Sequence, residues 1–401
     1  MSKEYDICII GGAGHVGLPL GICFAAQGQR VLLYDINHAT LETIASGRMP
    51  FIEYDADELL KATINRTLFT TSDPEKIRRA ASVIVAIGTP VDEYLNPKLR
   101  SLIELFQHLG RHLDPGQTIV IRSTVYPGTC KQVHSMLTDL AAGDWRVAYC
   151  PERIAQGYAI RELKNLPQIV SGLTPAAEEL AAALFAKLAP SVLRVSIEEA
   201  ELAKLFSNAW RYIQFAAANQ FYVMANEFGV DFDRVRKTMT EGYGRAAGLP
   251  SAGFAAGPCL LKDTMQLAAF NNHNFLLGQA AMNVNEGLPN YIVECLRRKH
   301  KLAGKAVGIL GMTFKANIDD TRDSLSYKLG KVLRFNGARV LYSDEFAQDP
   351  TFVAKEELVR AAEIIIVGVP HSAYSKLRIP EGKEVVDLWR CLPGTSAAAT
   401  A

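Results

Sequence analysis

The sequence predicts an α/β protein built on doubly wound, mostly parallel sheets. Three observations carry that prediction. Short apolar runs alternate with helical patterns at both ends of the chain. A glycine-rich turn joins the first run to the first helix. One uninterrupted helical stretch separates the two ends. Tyr5 to Ile10 is the first strand, and a helix follows from about His15 to Gln27, stopped by Gly28. Arg30 to Asp35 is a second buried strand, which completes a βαβ unit. Further strands are expected at Ser82–Ile87, Thr118–Ile121 and Arg146–Tyr149. From Glu198 to Phe228 there is no Pro or Gly, and Gly229 follows. Leu202, Leu205, Phe206, Ala209, Ile213 and Ala216 recur there at helical spacing. The stretch reads as one helix about 45 Å long. Helical patterns continue at Asp231–Thr240, Asp263–Phe270 and Leu277–Lys299. A second α/β region begins near Gly304, with strands at Lys305–Gly311, Arg339–Tyr342, Glu363–Val369 and Glu384–Leu388 and a helix at Ser326–Phe335. The domains expected are therefore 1–195, 196–302 and 303–393, with a frayed tail at 394–401.

Composition narrows the function. At roughly 150 residues per domain, 401 residues suit two or three domains. Apolar residues make up 49% and charged residues 21%, which excludes disorder for most of the chain. Net charge is +1, so nothing favours non-specific binding to nucleic acid or an acidic membrane surface. No apolar run is long enough to span a bilayer, and the N-terminus lacks a signal-peptide layout. The seven cysteines are scattered without a Cys-x-x-Cys pair, and the histidines show no ligand spacing. No metal is expected, and a reducing cytoplasm is the expected location.

Gly12-Ala-Gly14-His15-Val16-Gly17 fits the dinucleotide-binding turn in its proper context, after a strand and before a helix. Gly12 is expected to make the tight turn. Gly14 would let backbone approach a pyrophosphate, and Gly17 would let helix pack on strand. Asp35 ends the next strand, where its carboxylate would accept from ribose hydroxyls and repel a 2′-phosphate. That favours NAD over NADP. In a second segment, Gly257-Pro-Cys259-Leu-Leu-Lys262-Asp263, a cysteine precedes a helical pattern. A helix N-terminus favours a thiolate, and Lys262 and Asp263 fall near the same face. Read alone, the segment also suits a small packing cysteine.

With these two segments in hand, the chain resembles the UDP-glucose/GDP-mannose dehydrogenase family. The matching motifs include Gly88-Thr89-Pro90, Ser123-Thr124-Val-Tyr-Pro-Gly128-Thr129 and Cys150-Pro151-Glu152-Arg153. They continue through Glu201-Leu-Ala-Lys204-Leu-Phe-Ser-Asn208, the cysteine segment and Gly311-Met-Thr-Phe314-Lys315-Ala-Asn-Ile-Asp-Asp320-Thr-Arg322. The resemblance implies two Rossmann-like doubly wound domains joined by a long central helix and a small helical domain, with dimerisation through that helix. It implies oxidation of a sugar C6 alcohol to a carboxylate with two NAD, through a thiohemiacetal and a thioester on Cys259. Lys204 and Asn208, one helical turn apart, would stabilise the alkoxide and hold a water. Asp263 would bind that water, Glu152 would serve the aldehyde or thioester step, and Thr124 would lie near the reacting centre. Thr89, Pro90 and Arg322 would contact the cofactor, Lys262 the cofactor or the cysteine loop, and His15 would cover the pyrophosphate. Arg153, Arg245, Gly257 and Lys315 would contact the nucleotide sugar, Arg245 from a partner subunit, and Phe314 would pack against that ligand or the loop.

The substrate signals divide. Many glucose-specific members carry an acid where this chain has Gln156. Cys150-Pro-Glu-Arg153 is closer to the N-acetylhexosamine branch. The cysteine segment is closer to bacterial UDP-glucose members, with Leu261 replacing a common proline. A uracil nucleotide is expected first, with thymine and guanine nucleotides as open alternatives. Two other readings stay open: a two-electron 3-hydroxyacid or 6-phosphogluconate-type dehydrogenase, and a non-catalytic nucleotide-sugar binder.

Overall fold

A computed structural model describes residues 3–89, 92 and 99–393. Pro90 and the tail 394–401 lie outside the described residues. The chain forms two compact units, Met1–Ser207 and Asn208–Ala401. The first contains β1 (Tyr5–Ile10), α1 (Gly17–Ala26), β2 (Val31–Tyr34), α2 (His38–Ala45), α3 (Asp57–Thr63), β3 (Leu68–Thr71), β4 (Ala80–Val85) and α4 (Leu99–Leu109). It continues with β5 (Thr118–Ile121), α5 (Thr129–Leu140), β6 (Arg146–Tyr149), α6 (Ala159–Asn165), β7 (Gln168–Gly172), α7 (Pro175–Phe185), β8 (Val192–Arg194) and the start of α8 (Ile197–Glu227).

Its sheet runs β3-β2-β1-β4-β5-β6-β7-β8. Every pairing is parallel except β6 with β7. The strands read as near-continuous apolar runs because both faces are covered. Ile7 and Ile9 enter one core with Leu18, Ile22 and Phe24 of α1. Cys8 and Ile10 enter the other with Val133 and Leu137 of α5. Strand order reverses between β1 and β4, so the crevice for a ligand opens at the C-terminal ends of those two strands.

The second unit holds the rest of α8, α9 (Phe232–Thr240), α10 (Leu260–Phe270), α11 (Leu276–Lys299), β9 (Ala306–Leu310), α12 (Leu325–Phe335), β10 (Arg339–Ser343), α13 (Lys355–Ala361), β11 (Ile364–Val367) and β12 (Glu384–Val386). Its four strands are all parallel, in the order β10-β9-β11-β12. Here too alternate residues serve opposite cores: Val307 and Ile309 pack with α11 and α12, and Leu310 packs with Leu358 of α13.

The α/β class and the long helix agree with the sequence reading. Gly28 and Gly229, expected as helix stops, both have positive φ. The first helix starts at Gly17 rather than His15, because residues 11–16 form the turn. Strand β4 begins at Ala80, two residues early, and stops at Val85 as the chain leaves the sheet. Helix α10 begins at Leu260, directly after the cysteine. Strands β3, β7 and β8 were not anticipated. Polar or small residues interrupt the apolar run in β3 (Thr70, Thr71) and β7 (Gln168, Ser171, Gly172), and β8 is an edge strand with two of three residues exposed.

Candidate active site

The glycine turn divides its labour differently from expectation. Gly11, not Gly12, takes the left-handed conformation, with φ of 79°. A Cβ there would lie 2.6 Å from the Ala86 carbonyl oxygen. Gly12 is required by packing, since its Cβ would meet Leu33 Cβ at 2.7 Å. A Cβ on Gly17 would strike the Gly11 carbonyl oxygen at 2.2 Å, so this glycine seats α1 on the turn. At Gly14 the one close protein atom is the Gly11 carbonyl oxygen, at 3.4 Å. Nothing inside the fold demands glycine there, as expected where backbone faces a ligand. The first turn of α1 carries neither an acidic residue nor a side-chain cap, which leaves the helix N-terminus to an anion. The Asp35 carboxylate accepts from Ala13 N–H and Asn37 N–H, both at 3.0 Å. These bonds aim it across the turn while it stays half-exposed. These residues fit a dinucleotide. The His15 ring lies tilted against Phe51 with centroids 3.9 Å apart, and its Nδ1 meets Gln156 Nε2 at 3.1 Å. The turn is thereby tied to the segment that follows β6.

The loops after β4 and β5 are joined. Thr89 Oγ1 donates to the Thr124 carbonyl at 2.6 Å, and Ser123 Oγ donates to the Ile87 carbonyl at 2.8 Å. Glu201 on α8 accepts from Gly128 N–H and Cys130 N–H, at 2.6 and 3.1 Å. A buried carboxylate more than 70 residues away thus caps α5 and fixes the Thr124 loop. Sequence reading matched Glu201 to a motif and gave it no role. Its place one turn before Lys204 was the available signal.

Glu152 is nearly buried, and its carboxylate is committed. One oxygen pairs with the buried Arg122 guanidinium. The other accepts from Arg153 N–H at 2.6 Å and Ile154 N–H at 2.9 Å. Arg122 also donates to the Cys150 carbonyl and Gln168 Oε1, and lies over the Phe185 ring. This supporting arginine went unnoticed in the sequence. The Arg153 guanidinium turns onto the Pro167 carbonyl.

In the second unit, Cys259 is the N-cap residue of α10 and is exposed. The other cysteines are buried or half-buried, and burial pushes the thiols of Cys23 and Cys150 up to about 12. Asp263, one turn into α10, is fully buried. Its carboxylate accepts from Asn208 Nδ2 and pairs with Lys262 Nζ, each at 2.5 Å. Lys262, expected at the cofactor or the cysteine loop, is paired here with Asp263 of that loop's helix. Lys204 and Asn208 are 8% and 7% exposed, so neither is a solvated surface pair.

Gly257 has φ of 98°, and a Cβ there would enter the Phe314 ring at 2.6 Å. Its N–H donates to the Asp323 carbonyl. Phe314 therefore packs the cysteine loop onto the loop after β9. Arg322 is held by Asp320 through contacts of 2.6 to 3.0 Å, which raise the guanidinium pKa. Asp320 is another supporting residue, one the sequence placed in a motif without a role. Arg245 is exposed beside the Tyr243 ring, 5.9 Å away. Among the described residues, no three or more His, Cys, Asp or Glu side chains gather as a metal site. Nor, among them, is any helix long and apolar enough to cross a membrane.

Comparison with known proteins matches three domain models of one family. The NAD binding domain of the UDP-glucose/GDP-mannose dehydrogenase family covers residues 5–189, the central domain 198–287 and the UDP binding domain 308–393. The UDP-N-acetyl-D-mannosamine dehydrogenase of Pyrococcus horikoshii is 28% identical over 91% of this chain and 90% of its own. The UDP-N-acetyl-D-glucosamine 6-dehydrogenase of Pseudomonas aeruginosa is also 28% identical, over 93% and 89%. A solved UDP-glucose dehydrogenase structure from Pyrobaculum islandicum superposes with a TM-score of 0.86 at 25% identity, covering 96% of this chain and 98% of that one.

Proposed function

The chain belongs to the UDP-glucose/GDP-mannose dehydrogenase family, and from that premise we propose that it oxidises C6 of a UDP-N-acetylhexosamine to the carboxylate through a covalent Cys259 intermediate. The observation that carries this reading is the exposed Cys259 thiol at the start of α10, one turn from a buried Asp263 held by Asn208 and Lys262. NAD supplies the hydride acceptor, two equivalents for each sugar. Overall, the alcohol, two NAD and one water give the carboxylate, two NADH and three protons.

The chain's residues divide the remaining work. Lys204 and Asn208 lie one turn apart on α8 and offer donors to one oxygen, where they stabilise the developing alkoxide. The Cys259 thiolate adds to the C6 aldehyde carbon, and the aldehyde oxygen takes up the negative charge. The thiohemiacetal so formed has the electron-rich oxygen that a second hydride loss requires. Water then cleaves the C–S bond of the thioester and returns the thiolate. Asp263, through its contact with Asn208, orients that amide and the water beside it. Glu152 is built to hold the backbone at Arg153 and Ile154, since both of its oxygens already have protein donors. The substrate choice is supported by the acetamido-sugar names of both relatives and by the Pro151-Glu-Arg153 motif.

A panel of UDP-sugars incubated with protein and NAD tests the reading. Two NADH per sugar and a uronate product are expected, and Cys259→Ser should lose uronate formation by at least about 1,000-fold. One NADH per sugar would select two-electron chemistry, and full turnover by the serine variant would remove the covalent step. A homodimer is proposed with it. Trp210, Phe221 and Met224 leave an exposed apolar stripe on α8, continued just past its end by Phe228, which is 83% exposed. Sedimentation of Phe221→Glu should show a monomer where the parent is a dimer.

A further inference from the structure

The loop that carries Lys315 is gripped at both ends by one buried imidazole. Strand order in the second unit's sheet reverses between β9 and β11, so a ligand crevice opens where their C-terminal loops meet. Thr313, Lys315 and Asn317 follow β9, and His371 follows β11. The His371 side chain is wholly buried against Asp344, stacked on Phe346 and edge-on to Tyr374.

Its tautomer is fixed by its partners. Asn317 N–H can only donate, and it reaches His371 Nδ1 at 3.0 Å, so Nδ1 accepts. Nε2 therefore carries the proton and donates to Asp344 Oδ2 at 3.0 Å, with Thr313 Oγ1 also near at 3.3 Å. Thr313 Oγ1 in turn donates to the Lys315 carbonyl at 2.9 Å. Asn317 sits at φ of 60°, a conformation that needs support from outside the residue. That support is the imidazole on its N–H and Ser372 on its side-chain oxygen. One ring thus sets the backbone on both sides of Lys315.

We propose that His371 is a positioning residue that holds Thr313–Asn317, and with it the Lys315 ammonium, in the conformation that receives the diphosphate of the substrate. This rests on the nucleotide-sugar reading above. A cation held by its own backbone binds a diphosphate without first ordering the loop. The Asp344–His371 pair makes no claim on the chemistry at Cys259, nor on the dinucleotide turn of the first unit.

Two substitutions separate the two ring nitrogens. Asparagine at 371 places an amide oxygen near the Nδ1 position and keeps an acceptor for Asn317. Glutamine places its amide near Nε2 and abandons that acceptor. Calorimetric titration of the full chain with UDP, and separately with NAD, reads the result. His371→Gln should weaken UDP binding by about tenfold or more, the cost of an unmet buried N–H, and His371→Asn by about threefold, the cost of the lost Nε2 donor. NAD affinity should stay within about twofold in both, as the bonds lost lie in the other unit. Equal UDP affinity in all three proteins, or parallel loss of UDP and NAD, would overturn the assignment. Where His371→Gln does not fold, Thr313→Val carries the same test. It removes the hydroxyl that links the imidazole to the Lys315 carbonyl and should weaken UDP alone, and unchanged UDP affinity would overturn the assignment. Failure of the parent protein to bind UDP would instead overturn the nucleotide-sugar reading, and this inference with it.

Discussion

Both sheets place an aspartate at the end of the strand beside their first, and the two aspartates have opposite fates. Asp35 follows β2 and Asp344 follows β10. Each reaches back to the turn after the neighbouring strand: Asp35 to Ala13 N–H, Asp344 to Met312 N–H and Thr313 N–H. Each turn opens on a glycine with positive φ, Gly11 in one and Gly311 in the other. Each of these glycines presses on the loop of the strand across the switch point, at Ala86 and at Val369. Beyond that the two diverge. Asp35 takes two backbone donors and remains half-exposed, with capacity left for ribose hydroxyls. Asp344 takes four backbone N–H groups and His371, and its side chain is wholly buried. The helix after the turn begins at Gly17 in the first unit and only at Leu325 in the second. The added loop carries Phe314, Lys315 and Arg322. One topology therefore serves two kinds of ligand. An unsaturated acid beside a glycine-lined helix start suits a dinucleotide. A saturated acid under a cationic loop suits a diphosphate.

The largest test of this contrast is at the glycines. Gly17→Ala forces a Cβ to within 2.2 Å of the Gly11 carbonyl oxygen, and should destabilise the first unit by about 3 kcal/mol or remove α1 from its seat. Gly14→Ala meets nothing closer than 3.4 Å. It should cost under about 1 kcal/mol in urea unfolding while NAD affinity falls by at least about tenfold. Equal stability loss in the two variants would break the division of roles among the glycines.

The acids come next. Asp344→Asn should cost the second unit about 3 kcal/mol, since a buried histidine and several N–H groups lose a charged partner. Asp35→Asn should cost under about 1 kcal/mol and weaken NAD by about tenfold. Differential unfolding with NAD titration distinguishes the two.

The smallest effect is in the pH dependence. Burial pushes the Asp344 carboxyl up, but hydrogen bonds from His371 and from the backbone of Ala347 and Met312 outweigh it and leave the pKa below its usual value. A depressed folded pKa adds stability that is present above the unfolded value of about 4 and fades as pH falls through the lower folded value. Urea midpoints should therefore drop on acidification below about pH 4, and Asp344→Asn should flatten that limb. An unchanged acid limb in the variant would assign it to other carboxylates.

Much of the site could be read before folding was considered, because its signals are local. The glycine turn, the helix that presents Lys204 and Asn208 one turn apart, and a cysteine ahead of a helix all lie within a few residues of chain. Supporting residues were not legible for the opposite reason. Glu201 caps α5 from more than 70 residues away, Arg122 meets Glu152 across two strand ends, and His371 meets Asn317 across 54 residues. No spacing rule ties such pairs together.

By itself the sequence determined the class of fold, the long helix, the dinucleotide turn and the family. Periodicity, glycine geometry and short motifs are properties of contiguous chain. Tertiary structure alone decided which glycine bears the turn, which carboxylate is saturated and which stays open, and which buried cation or imidazole holds each loop. Those depend on what neighbouring strands bring alongside, and a hydrogen bond acquires its partner only when the sheet forms.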